Sequence, residues 1–186
     1  MRALVTLFLM TVTVLVQATV VNRLPFEWGP GPDLVLAAVV AVALTTGPAS
    51  AAACGFAAGL AMDVLPPAEH SMGRYTLVLC VAAYLISLLH SNAGLGGGSG
   101  ARVSRWAAVG VTAVASVGVG LGYALIGMIM GDAHITVSAV ASNVGIGTLL
   151  TTLFGPLVLL PILWARTLLA EDEYATIQGP TSVGGW

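Results

Sequence analysis

AAACGFAAGLAMDVLPPAEHSMGRYTLVLCVAAYLISLLH, residues 51–90, joins a helix of small residues to a charged loop flanked on both sides by long apolar sequence. Ala51, Gly55, Gly59 and Asp63 recur every fourth residue. On a helix such a series drifts by only about 40° per step, so all four share one side. Small residues there let a neighbouring backbone approach closely, which is how membrane helices pack. Asp63 is expected to face protein rather than lipid, because a charge in hydrocarbon is expensive. Pro66-Pro67 end the helix, and Ser71 is expected to cap the next one, over residues 72–89. A capping box would place Glu or Gln three residues after Ser71, where the chain has Arg74. The helix dipole opposes a cation in the first turn, so Arg74 is expected to meet an acid, Asp63 or Glu69.

Working outward, 58% of the 186 residues are hydrophobic and 8% are charged, with mean hydropathy +0.98. A soluble domain carries about 25% charged residues, so the composition is that of an integral membrane protein. The six cations are all arginine: Arg2, Arg23, Arg74, Arg102, Arg105 and Arg166. A net charge of −2 without a basic cluster argues against a nucleic-acid partner. Cys54 and Cys80 fall inside apolar segments and read as packing residues, not as a disulfide or metal pair.

Residues 3–22 form an uncharged run long enough to span, read as a retained first helix rather than a signal peptide. A proline- and glycine-rich loop follows, with Trp28 suited to a membrane interface, and Asp33 can cap a second segment over residues 34–45. Gly47-Pro48 is a stop-and-restart signal, so residues 49–62 form a separate short helix. The fourth segment, 72–90, leads into the glycine linker SNAGLGGGSGARVSR at 91–105. The fifth runs over residues 106–130, with Gly118/Gly122 and Gly127/Gly131 as expected close-packing pairs, and closes on a polar turn at Asp132 and His134. The sixth ends in TLLTTLFGPLVLLPILWAR, 148–166, kinked at Pro156 and Pro161 and anchored by Trp164 and Arg166.

The expected fold is therefore an all-α polytopic membrane bundle of about six transmembrane helices, two of them short, over residues 1–166. A polar, disordered cytoplasmic tail is expected over 167–186. With six spans and the N-terminus inside, four arginines are cytoplasmic and Arg23 and Arg74 lie outside, as the positive-inside rule prefers. A five-span layout gives the same count, and the Gly47-Pro48 break decides for six.

Asp63, Glu69, His70 and Ser71 include the residue types of a hydrolase, yet nothing in the pattern sets a base beside a nucleophile. His70, His90 and His134 lack metal-ligand spacing. The charges lie at segment ends, against a pump. No enzyme activity, cofactor or metal is expected.

Gly55-x-x-x-Gly59-Leu60-x-x-Asp63, a short proline-bearing loop, Gly73-x-Tyr75-x-Leu77 and then Ala83-Tyr84-Leu85 together resemble the rod shape-determining membrane protein family MreD. Leu-Phe-Gly-Pro-Leu-Val-Leu-Leu-Pro, residues 153–161, is similar to that family's last helix. The resemblance implies a non-enzymatic scaffold of the cell-elongation machinery in the bacterial inner membrane, with both termini cytoplasmic. Its implied partners are MreC and, indirectly, MreB, RodA and a class B penicillin-binding transpeptidase. Ala51, Gly55, Gly59, Asp63, Gly73, Arg74, Tyr75 and Tyr84 are the expected helix-packing or partner-binding residues. The family is also similar in layout to the substrate-binding subunits of energy-coupling-factor transporters, which supplies the alternative reading.

Overall fold

The computed structural model describes residues 2–24, 30–65, 73–92, 104–131 and 136–177, with side chains described over 3–168. Seven α-helices follow in order: α1 (Arg2–Thr19), α2 (Leu34–Ala43), α3 (Pro48–Val64), α4 (Arg74–Asn92), α5 (Arg105–Ile129), α6 (Val137–Phe154) and α7 (Pro156–Ile177). A 3-10 turn, Val21–Arg23, extends α1. There is no strand among the described residues. Four stretches are long and apolar enough to cross a membrane: Ala3–Arg23, Arg74–Asn92, Arg105–Ile129 and Val137–Phe154. The apolar helices α2 and α3 are shorter, as is the apolar part of α7.

The break at Gly47-Pro48 is present. Gly47 is extended and Pro48 takes the first helical position, where its missing N–H has no helical partner to lose. Ser87 of α4 closes this end of the bundle, its hydroxyl donating to the Thr46 carbonyl at 2.6 Å. The sixth expected segment is α6 and α7, which meet at Gly155 with helical backbone (φ −52°, ψ −39°), an interruption at Pro156 as expected. α6 stops at Phe154 and Pro156 opens α7, while Pro161 lies inside α7. At the joint, a Cβ on Gly155 would sit 2.3 Å from the Thr151 carbonyl oxygen and 3.3 Å from Ala37 Cβ. α7 runs to Ile177, so helical backbone continues past residue 166.

α2 lies at the centre. Its sequence is apolar all round, the pattern of a helix with no solvent face, and residues 35–43 are all buried. It touches every other helix. The most extensive pairing of the bundle is α3 with α4.

The glycines of α5 divide differently from the expectation. Gly122 faces Val78 of α4 and Gly120 faces Val144 of α6, whereas Gly118 opens onto free space. α5 is flanked by α4 and α6, so close-approach positions fall on two sides rather than on one four-residue series. Gly131 also has nothing near its Cβ position and takes φ +78° in a turn. Trp28, Pro66-Pro67, Glu69, His70, Ser71, the linker over 93–103, Asp132, His134 and residues 178–186 lie outside the described residues.

Candidate functional site

The small-residue side of α3 is filled by α4 of the same chain. Ala51 is fully buried. A Cβ on Gly55 would lie 2.7 Å from the Leu79 carbonyl oxygen and 2.9 Å from Ala83 Cβ. One on Gly59 would lie 2.6 Å from Thr76 Cα. Both positions therefore need glycine because backbone meets backbone there.

Four residues further along the same side, Asp63 is 2% exposed. Its Oδ2 accepts from the Gly73 N–H at 3.0 Å, the Thr76 N–H at 2.9 Å and the Thr76 hydroxyl at 2.6 Å. The first turn of any helix carries N–H groups without helical partners and a partial positive charge. Asp63 supplies the acceptor and the negative charge to α4 from the end of α3. Gly73 makes the turn into α4 with φ +91°, a left-handed conformation that suits glycine.

Three consecutive residues then leave this turn toward three different elements. Arg74 donates from Nε at 3.1 Å and Nη2 at 2.8 Å to the Tyr123 carbonyl of α5, and its guanidinium lies 3.8 Å from the centre of the Tyr123 ring. Arg, with its planar fork of donors, suits this combination of bidentate donation and ring stacking. The expected acid thus serves the helix end through Gly73 and Thr76, while Arg74's described hydrogen bonds go to Tyr123. The Tyr75 hydroxyl donates to Asp33 Oδ2. Thr76 returns to Asp63.

Asp33 caps α2 as expected, accepting from the Leu36 N–H at 2.8 Å. Its own N–H donates to the Thr151 hydroxyl of α6 at 2.9 Å. Burial pushes the Asp33 carboxyl above its usual range, opposed by the hydrogen bonds from Tyr75, Leu36 and Val35. Gln17 of α1 completes the layer, donating to the Pro32 carbonyl and to Asn22 Oδ1, each at 3.0 Å, and accepting from the Leu34 N–H at 3.0 Å.

Of the sequence-predicted residues, Ala51, Gly55, Gly59, Asp63, Gly73, Arg74 and Tyr75 belong to this α3–α4 seam and the hub at its end. Tyr84 does not: it is 43% exposed, on the outside of α4. Gln17, Thr76, Tyr123 and Thr151 are hub members that sequence reasoning did not reach. Gln17 alone carried a signal, as an amide late in an otherwise apolar run.

The described polar groups of the hub bond mostly to backbone of neighbouring elements, which suits holding helices in register. No group of three or more His, Cys, Asp or Glu side chains that could hold a metal occurs among the described residues. Cys54 and Cys80 are free thiols. A shallow surface groove of about 580 Å³ runs between α5 and α6, lined by apolar residues with Thr148 and Thr152 among them. Comparison of the chain with family models, curated proteins and solved structures finds no match to any of them.

Proposed function

We propose that the chain is a non-enzymatic scaffold of the bacterial cell-elongation machinery, of the MreD type. In this reading it sits in the plasma membrane with six crossings and both termini cytoplasmic. α1, α4 and α5 each cross once, the shorter α2 and α3 supply two more crossings, and α6 continued by α7 makes the sixth. The observation that carries the reading is where the MreD-like residues fall. Gly55, Gly59, Asp63, Gly73 and Tyr75 form the seam and hub that tie α2, α3 and α4 together. That use of the motif supports a shape-holding role, because these side chains are engaged in fixing helices rather than lining an open polar pocket. The apolar outer surface is then what meets MreC, and through MreC the filament and synthase.

Mild-detergent co-purification from native membranes tests this. MreC is expected to be recovered together with the elongation synthase. Recovery of a paired ATPase module with a coupling membrane subunit would sink the scaffold reading and favour the transporter subunit.

A further inference from the structure

Two exposed turns bound the α3–α4 pair. At one end, Thr45 and Gly47 are exposed between α2 and α3, and Gly47 is extended. At the other, Gly73 is exposed with φ +91°, and its N–H donates to Asp63, which sets it beside the last turn of α3. The separation of the turns can be followed along either helix. Along α3, Gly47 to Asp63 rises about 24 Å. Along α4, Gly73 to Ser87 rises about 21 Å, and the Ser87 hydroxyl meets the Thr46 carbonyl. Tilting the pair in a bilayer only lowers this height. α4 itself runs on to Asn92, so the turn beside it sets the limit.

Exposed irregular backbone finds no hydrogen-bond partner in lipid, so neither turn can lie within the hydrocarbon. Against a core of about 30 Å, the pair is short by about 6–9 Å. The other lipid-facing spans are not: Ala3–Arg23 is about 31 Å long and α5 about 37 Å. A short stretch is accommodated by thinning the bilayer, by snorkelling of long flanking side chains or by oligomerisation. Thr45, Gly47 and Gly73 have no long side chain to snorkel. Nor can the pair stretch, because backbone meets backbone at Gly55 and Gly59 and the Asp63 and Ser87 bonds fix both ends. Between the turns, Phe56, Leu60, Leu77, Val81 and Leu85 are exposed, an apolar face suited to lipid tails.

We infer that the outer α3–α4 face is a lipid-binding surface that thins the bilayer beside it and takes phospholipids with short acyl chains. The inference rests on the six-crossing reading, in which the turn at 45–47 reaches the cytoplasmic side. It is independent of the elongation partners, so loss of MreC binding leaves it intact.

The test uses the full chain with Phe56→Cys in a Cys54→Ala/Cys80→Ala background, labelled with bimane. Vesicles mix brominated dioleoylphosphatidylcholine with an unbrominated lipid, and relief of quenching measures how well that lipid competes for the face. Dimyristoleoylphosphatidylcholine should compete about two- to five-fold better than dierucoylphosphatidylcholine at Phe56→Cys. It should compete no better at Leu121→Cys, an exposed site on α5. Equal competition at Phe56→Cys would overturn the inference. Should the labelled chain fail to fold, the unlabelled wild type decides: it should melt at a higher temperature in dimyristoleoyl than in dierucoyl vesicles, and an equal or reversed order would overturn the inference. A separate readout addresses the crossings. Thr45→Cys should react with an impermeant maleimide from the cytoplasmic side, and reaction from the outer side alone would refute the six-crossing reading. Cytoplasmic reaction without any chain-length preference at Phe56→Cys would instead mark a water-filled recess and overturn the thinning alone.

Discussion

Asp63 shows what a side chain's neighbours can and cannot reveal. Its spacing from Gly59 placed it on the protein-facing side, and it is buried there. Its partners were harder to read. A cation at position 74 suggested an ion pair, whereas the described bonds on Oδ2 come from the N–H groups and hydroxyl that bracket Arg74. Backbone N–H groups leave no trace in a sequence. Nor does the Tyr123 carbonyl, 49 residues from the arginine that reaches it. Asp63→Ala leaves the Gly73 and Thr76 donors without the acceptor described for them and should cost about 2 kcal/mol or more. Arg74→Ala loses the Tyr123 carbonyl and ring and should cost about 1–3 kcal/mol. Thermal unfolding in detergent reads both directly, and unchanged melting temperatures would contradict the hub.

At the scale of elements, helix positions followed from the length of the apolar runs, and the break between α2 and α3 from Gly47-Pro48, a stop followed by a residue suited to a helix start. Which side of a helix meets which neighbour followed less well. The series in α3 pointed one way and α4 took that side. In α5 the same kind of series pointed to Gly118, which opens outward, while Gly120 and Gly122 face α6 and α4. A helix between two neighbours has two packing sides, and spacing within it does not say where either neighbour stands. Substitution separates the cases. Gly59→Ala forces a Cβ against Thr76 backbone and should cost about 1–3 kcal/mol. Gly118→Ala meets nothing and should be neutral or stabilising by up to about 1 kcal/mol. Equal melting temperatures for the two variants would contradict the seam described between α3 and α4.

For the molecule as a whole, composition alone declared a helical membrane protein, and four helices have the length and apolarity to cross a bilayer. The count of crossings is harder to read, because α2, α3 and the apolar part of α7 are shorter than those four. Reporter fusions after Leu24, Thr46, Leu65, Asn92 and Gly131 should alternate in side, beginning outside. If the fusions at Leu24 and Thr46 report the same side, α2 enters and leaves by one face. The burial of α2 also orders events in time. A ribosome delivers the chain from the N-terminus, and when α2 emerges only α1, among the helices that will surround it, has been made. Its broadest contact is with α7, the last to be synthesised. The central helix must therefore be kept from other company for almost the whole of translation, and a nascent chain stalled before Pro156 would hold a finished core segment with its closing wall still missing.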